Sequence, residues 1–191
     1  GGAGVFSLGN AKDAAAETKA TPILLEDADL EMKYGASVRY AVSEENSGLR
    51  FTVGLPTADY LGLEANEGSA YESVKYGIAI MPYEYIERFG ALTEENLFGE
   101  NAVYDWAVLN TETGEWEYTG DNTTKKRIMV FSSNIMAQDE DDSSKYIVSG
   151  SISGILHENL ARDFVGLGYI EATLESGEKE YRMAEYTDGD M

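Results

Sequence analysis

The sequence predicts a mainly β protein, an antiparallel β-sandwich or jelly roll carrying a few short helices. Three observations predict it: apolar residues recur at every second position in several segments, turn-forming residues separate those segments at short intervals, and no long helical stretches alternate with them. No fixed-period internal repeat is present.

Taken in order, residues 1–22 are mostly small or polar, with one apolar patch at Val5, Phe6 and Leu8. This reads as a flexible or docking N-terminal arm, because a helical turn over 14–19 is marginal on its own in water. The chain begins at Gly1 rather than Met, so a mature or excised fragment is expected. The sandwich module is expected over 23–191. Within it, Val38, Tyr40 and Val42 alternate with Ser37, Arg39 and Ala41, as in a half-buried strand. Turn residues at 44–48 follow, and then Leu49, Phe51, Val53 and Leu55 alternate with Arg50, Thr52 and Gly54. The two segments are expected to pair as a hairpin.

Pro56 closes that strand, and the Thr57 hydroxyl is expected to cap a short helix over 58–61. A third strand is expected over 74–81, ended by Pro82. Tyr85, Ile86 and Phe89 fall at helical spacing, and Thr93 followed by Glu94 and Glu95 has the oxygen cap and early acids of a further short helix carrying Leu97 and Phe98. Strands are expected over 103–109, 116–119, 127–132, 146–155, 165–174 and 180–186. Two of the turns between them are explicit, Thr111-Glu112-Thr113-Gly114 and Glu175-Ser176-Gly177-Glu178.

The totals bound what such a domain can do. With 191 residues, 43% hydrophobic and 11% aromatic, the chain has enough apolar surface for one core. Thirty-five acidic against 14 basic side chains leave a net charge of −21, which repels phosphate backbones and anionic lipid surfaces. No nucleic-acid partner is expected. The one basic cluster, Lys125-Lys126-Arg127, runs into Ile128-Met129-Val130-Phe131 and reads as the solvated start of a strand. There are no cysteines, which removes disulfides, thiolate metal sites and cysteine nucleophiles together. No run approaches the roughly 18 apolar residues of a membrane span, so no membrane insertion is expected.

No residue stands out as catalytic. The sole histidine, His157, has no G-x-S-x-G or H-E-x-x-H pattern around it and reads as structural or exposed. Among 35 carboxylates no selected pair is informative for glycoside hydrolysis. The run Asp139-Glu140-Asp141-Asp142 is rich in oxygen, as calcium requires, but lacks the spacing of an EF-hand loop and is read as a solvated, mobile turn. No metal and no cofactor are expected. The aromatic residues are the most suggestive feature: Tyr104, Trp106, Trp116 and Tyr118 fall on two adjacent antiparallel segments. They form either one continuous surface on which sugar rings stack or part of the packing.

Three stretches carry a resemblance: Gly35-Ala36-Ser37-Val38-Arg39 followed by Ser47-Gly48-Leu49-Arg50-Phe51, then Tyr76-Gly77-Ile78-Ala79-Ile80-Met81-Pro82, then 162–170. Over roughly residues 33–186 the chain resembles a β-rich module of large secreted and surface proteins of gut Firmicutes, found beside immunoglobulin-like and carbohydrate-active domains. The matching residues are turn glycines and strand positions, so they speak to fold. The resemblance implies a secreted or cell-surface location and a non-catalytic accessory role.

The resulting expectation is an extracellular accessory module that binds a neutral glycan or another surface protein through Tyr104, Trp106, Trp116 and Tyr118. The alternative is a structural subunit or spacer of a cell-surface assembly, self-assembling when Val5, Phe6 and Leu8 of the arm dock on a neighbour's sheet edge.

Overall fold

The computed structural model describes residues 20–33, 37–40, 48–64, 67–83, 93–99, 105–109, 112–113, 116–118, 127–153 and 163–185. They form two sheets and two short helices, the mainly β sandwich that the alternation predicts. In chain order the elements are β1 (Glu31–Met32), β2 (Ser37–Tyr40), β3 (Gly48–Pro56), α1 (Thr57–Leu63), β4 (Tyr71–Pro82), α2 (Glu94–Phe98), β5 (Asp105–Leu109), β6 (Trp116–Tyr118), β7 (Arg127–Ser133), β8 (Ala137–Gln138), β9 (Lys145–Ser153), β10 (Asp163–Leu174) and β11 (Lys179–Met183).

The small sheet runs β1-β3-β9-β8, and the large one runs β11-β10-β4-β7-β5-β6. Neighbours are antiparallel except β5 and β7, which pair in parallel from Asp105 opposite Arg127 to Val108 opposite Val130. The long strand β10 is the hub of the large sheet. One edge takes β4, and the other takes β2 over Asp163–Gly166 and then β11 over Tyr169–Thr173.

Glycines decide how the sheets face each other. Gly166 and Gly168 of β10 lie opposite Phe51 and Val53 of β3, and a methyl group built on either glycine would land inside the facing side chain. The relation is reciprocal at Gly150 of β9, where a methyl would sit 2.8 Å from the Phe131 ring of β7 and 3.3 Å from Ile78 of β4. Large residues of each sheet therefore seat in glycine notches of the other, at the close-packed density of protein interiors. Around these contacts Tyr76, Ile80, Leu55 and Ile170 are fully buried. The opposite face of β10 is covered too: Val165 and Leu167 are buried, and Phe98 of α2 packs on Tyr169 with ring centroids 5.0 Å apart.

One turn and one helix cap follow their sequence chemistry. At Leu174–Lys179 the Gly177 amide donates to the Leu174 carbonyl at 2.8 Å, and Gly177 adopts φ of 90°, a three-residue hairpin with a glycine in the left-handed position. At α2 the Thr93 hydroxyl accepts from the Asn96 amide at 3.2 Å, the expected cap.

Two expectations are corrected. β2 and β3 do not form a hairpin. β3 uses its edges on β9 along its whole length and on β1, while β2 crosses to the large sheet and pairs with β10. Turn residues at 44–48 permit a reversal but do not choose the layer in which the chain resumes. Thr57 is not a helix cap either. Pro56 occupies the cap position, and Thr57 is the first helical residue, its amide and hydroxyl donating to Ser144 and Ser143 carbonyls at 2.9 and 3.3 Å. The expected helical turn around Tyr85, Ile86 and Phe89 lies outside the described residues.

The last described residues meet the segment that opens β1. The Glu185 amide donates to the Leu30 carbonyl at 3.0 Å, and Glu31 and Glu185 form a parallel bridge, joining the start of the small sheet to the residues after β11.

Gly166→Ala is expected to destabilise the protein by about 2–3 kcal/mol in urea unfolding, the usual cost of overpacking. Combined with Phe51→Leu it should lose less than the sum of the two single variants, because the shorter side chain makes room. Strictly additive losses would show that Phe51 does not occupy the Gly166 notch.

Candidate functional site

A cleft of about 420 Å3 opens where β11, α2, the start of β4 and a single 3-10 turn, Leu25–Asp27, come together. Tyr71, Tyr181, Glu26, Glu94, Glu180, Lys179 and Arg182 are among the residues that line it. Tyr71 opens β4, and its hydroxyl accepts from the Leu25 amide at 2.7 Å, which anchors the 3-10 turn to the sheet. Burial, only partly offset by that bond, pushes its pKa up.

Tyr181 is fixed from two sides. Its ring stacks on Phe98 at 4.2 Å with the planes 9° apart, and its hydroxyl donates to Glu171 Oε2 at 3.0 Å, across the ladder from β11 to its register partner on β10. Burial and then the Glu171 charge raise the Tyr181 pKa, so the hydroxyl stays protonated. Lys179 Nζ lies 3.5 Å from the other oxygen of Glu171. Arg182 donates through Nε to the Ala28 carbonyl at 3.1 Å and pairs with Glu185 at 3.3 Å.

The chemical capacity follows from these commitments. Both tyrosine hydroxyls are engaged in holding the fold, and Tyr71 is itself buried, so the accessible ring, that of Tyr181, is a rigid apolar surface rather than a proton donor to a substrate. Carboxylates beside it accept hydrogen bonds from hydroxyl groups. No motif in the sequence marked this cleft. Tyr181 and Arg182 read as ordinary strand residues, and the link from Leu25 to Tyr71 spans 46 residues with no local signal.

The aromatic hairpin lies at the opposite edge of the large sheet. β5 and β6 do pair antiparallel, but their register divides the residues that the sequence grouped. Trp116 lies opposite Leu109 and Tyr118 opposite Ala107, whereas Trp106 pairs with Ile128 of β7 and is one position out of step. Strand alternation places positions 116 and 118 on one face of the sheet and position 106 on the other. Tyr104 lies outside the described residues, as do Val5, Phe6, Leu8 and His157.

The acidic run at 139–142 is more organised than a solvated turn. Asp139 is only 6% exposed, and it accepts from the Asp141 amide at 2.9 Å and meets Lys33 Nζ at 3.2 Å. Asp142 accepts from the Ser144 amide at 3.0 Å and closes the turn through its carbonyl to the Lys145 amide at 3.0 Å. The correction has a physical cause: a carboxylate two residues before an amide bonds to it locally, and Lys33, 106 residues distant, supplies the counter-charge. Glu140, Asp141 and Asp142 remain exposed. Among the described residues no group of three or more His, Cys, Asp or Glu is arranged to hold a metal ion.

Comparison with known proteins finds no matching family model, no matching curated protein and no matching solved structure.

The Asp139 carboxyl is held below its ordinary value of 3.8, first by the Asp141 amide and then by Lys33, against the cost of burial. A depressed folded-state value means that its stabilisation is complete above the ordinary value and is lost as pH falls through the lower one. Asp139→Asn is therefore expected to be less stable than the parent near neutrality. The difference should shrink on acidification below pH 3.8 in urea unfolding, and a gap independent of pH would contradict the assignment.

Proposed function

We propose that this chain is a non-catalytic accessory module of a secreted or cell-surface bacterial protein, and that it binds a neutral glycan in the cleft beside β11. The observation that carries the reading is Tyr181, whose half-buried ring is fixed in advance by Glu171 and Phe98 at an opening that carboxylates also line, with the buried Tyr71 anchoring the Leu25 turn behind it. A fixed ring offers a sugar an apolar surface at little entropic cost, and carboxylates accept from its hydroxyls. A volume of about 420 Å3 lies in the usual range for small-ligand sites. The net charge of −21 favours a neutral over an acidic saccharide. The resemblance to modules beside carbohydrate-active domains supports the same location and role.

A second reading, a structural subunit or spacer, has its own support. β1 and β8 each pair over only two residues with β3 and β9, so much of the outer edge of both strands has no partner strand among the described residues. Such edges accept an added strand, and the arm bearing Val5, Phe6 and Leu8 is the candidate.

Retention on an array of neutral oligosaccharides is expected to fall about tenfold in Glu26→Gln/Glu94→Gln, the loss of roughly one charged hydrogen bond. It should survive in Trp116→Ala/Tyr118→Ala, with thermal unfolding confirming that both variants are folded. Loss only in the tryptophan variant would move the site to the hairpin. Deletion of residues 1–22 should leave retention intact. A blank array, with a large assembly in light scattering that the deletion dissolves, would instead establish the structural subunit.

A further inference from the structure

Tyr76 presents a buried polar group that the packing leaves unanswered. Its side chain is fully buried on β4, and its hydroxyl has no hydrogen-bond partner among the described residues. Buried hydroxyls are almost always paired, with protein or with internal water.

Polar side chains lie near Tyr76 within this otherwise apolar core. The Tyr60 ring of α1 lies 5.5 Å from the Tyr76 ring, tilted by 49°, and stacks on Tyr146 of β9 at 4.4 Å. The Tyr60 hydroxyl accepts from the Met136 amide at 3.3 Å, and Glu64, the residue just after α1, is close enough to influence it electrostatically. Burial pushes the Tyr60 pKa up to about 12 and raises that of Glu64, and the Glu64 charge acts on both tyrosines. Three polar side chains, on β4, on α1 and just after it, therefore share one neighbourhood, and the Tyr76 hydroxyl is the one left over.

We propose that Tyr76, Glu64 and Tyr60 form a binding site for one internal water molecule, which links the C-terminal end of α1 to the large sheet. The Tyr76 hydroxyl donates to the water, and the water donates to the Glu64 carboxylate and to the remaining lone pair of the Tyr60 oxygen. Three bonds are typical of a buried structural water. The site joins elements that the backbone ladders do not, since α1 follows β3 of the small sheet and Tyr76 belongs to the large one.

A high-resolution crystal structure of the full chain tests this directly. The expected result is a single density peak within hydrogen-bonding distance of Tyr76 Oη and Glu64 that is absent from Tyr76→Phe. No peak, or Tyr76 bonded directly to a protein acceptor, overturns the proposal. Stability provides an independent reading: Tyr76→Phe should lower the folding equilibrium constant about fivefold if the hydroxyl holds a water. An orphan hydroxyl would instead make the phenylalanine variant more stable, which also overturns the proposal.

Discussion

The seating of Phe51 and Val53 in the notches left by Gly166 and Gly168 is the constraint on which the rest of this sandwich depends. Because the notches lie on β10, which also organises the large sheet, the separation of the two layers and the register of β2, β4 and β11 are set on the same strand. The reverse contact of Phe131 with Gly150 holds the layers together further along. An interior closed in this way leaves recognition to the margins. The cleft and the aromatic hairpin both lie at edges of the large sheet, on opposite sides of it.

The strands were legible because alternation is a local property that survives into the structure. Residues 49–55, 74–81 and 165–174 are strands as their spacing predicts, and the Gly177 turn and the Thr93 cap follow from single-residue chemistry. Partnership was not legible. The residues that choose the neighbour of β2 lie at 163–166, more than 100 positions away, and two-residue strands such as β1 and β8 are too short to show a period. Thr57 shows a subtler limit. Its side chain is suited to capping, yet Pro56 already has the extended geometry of a cap, and the serine carbonyls at 143 and 144 offer Thr57 other partners.

The candidate site was less legible than the fold, for a related reason. Aromatic residues close in sequence invite grouping, but a register offset of one residue puts position 106 on the other face of the sheet from positions 116 and 118. The cleft is assembled from segments near residues 25, 71, 94 and 181, each unremarkable alone. The acidic run divides in the same way: Asp139 is drawn inside by Lys33 of β1's own segment, while its three neighbours stay in water. In a chain so rich in acids, the position of the few cations distinguishes a structural carboxylate from a solvated one.

The parallel bridge between Glu31 and Glu185 has a mechanical consequence. Its two segments run in the same direction, so tension applied between the ends of the described module pulls one backward and the other forward along a common axis. The Leu30–Glu185 hydrogen bond is then loaded sideways together with its neighbours, instead of being peeled open alone. Resistance to pulling in this geometry depends on the rate at which the interface slips rather than on equilibrium stability. A pull along the chain would thus load this clasp in shear only after the Ile23–Gly62 and Leu25–Tyr71 bonds that hold the preceding segment.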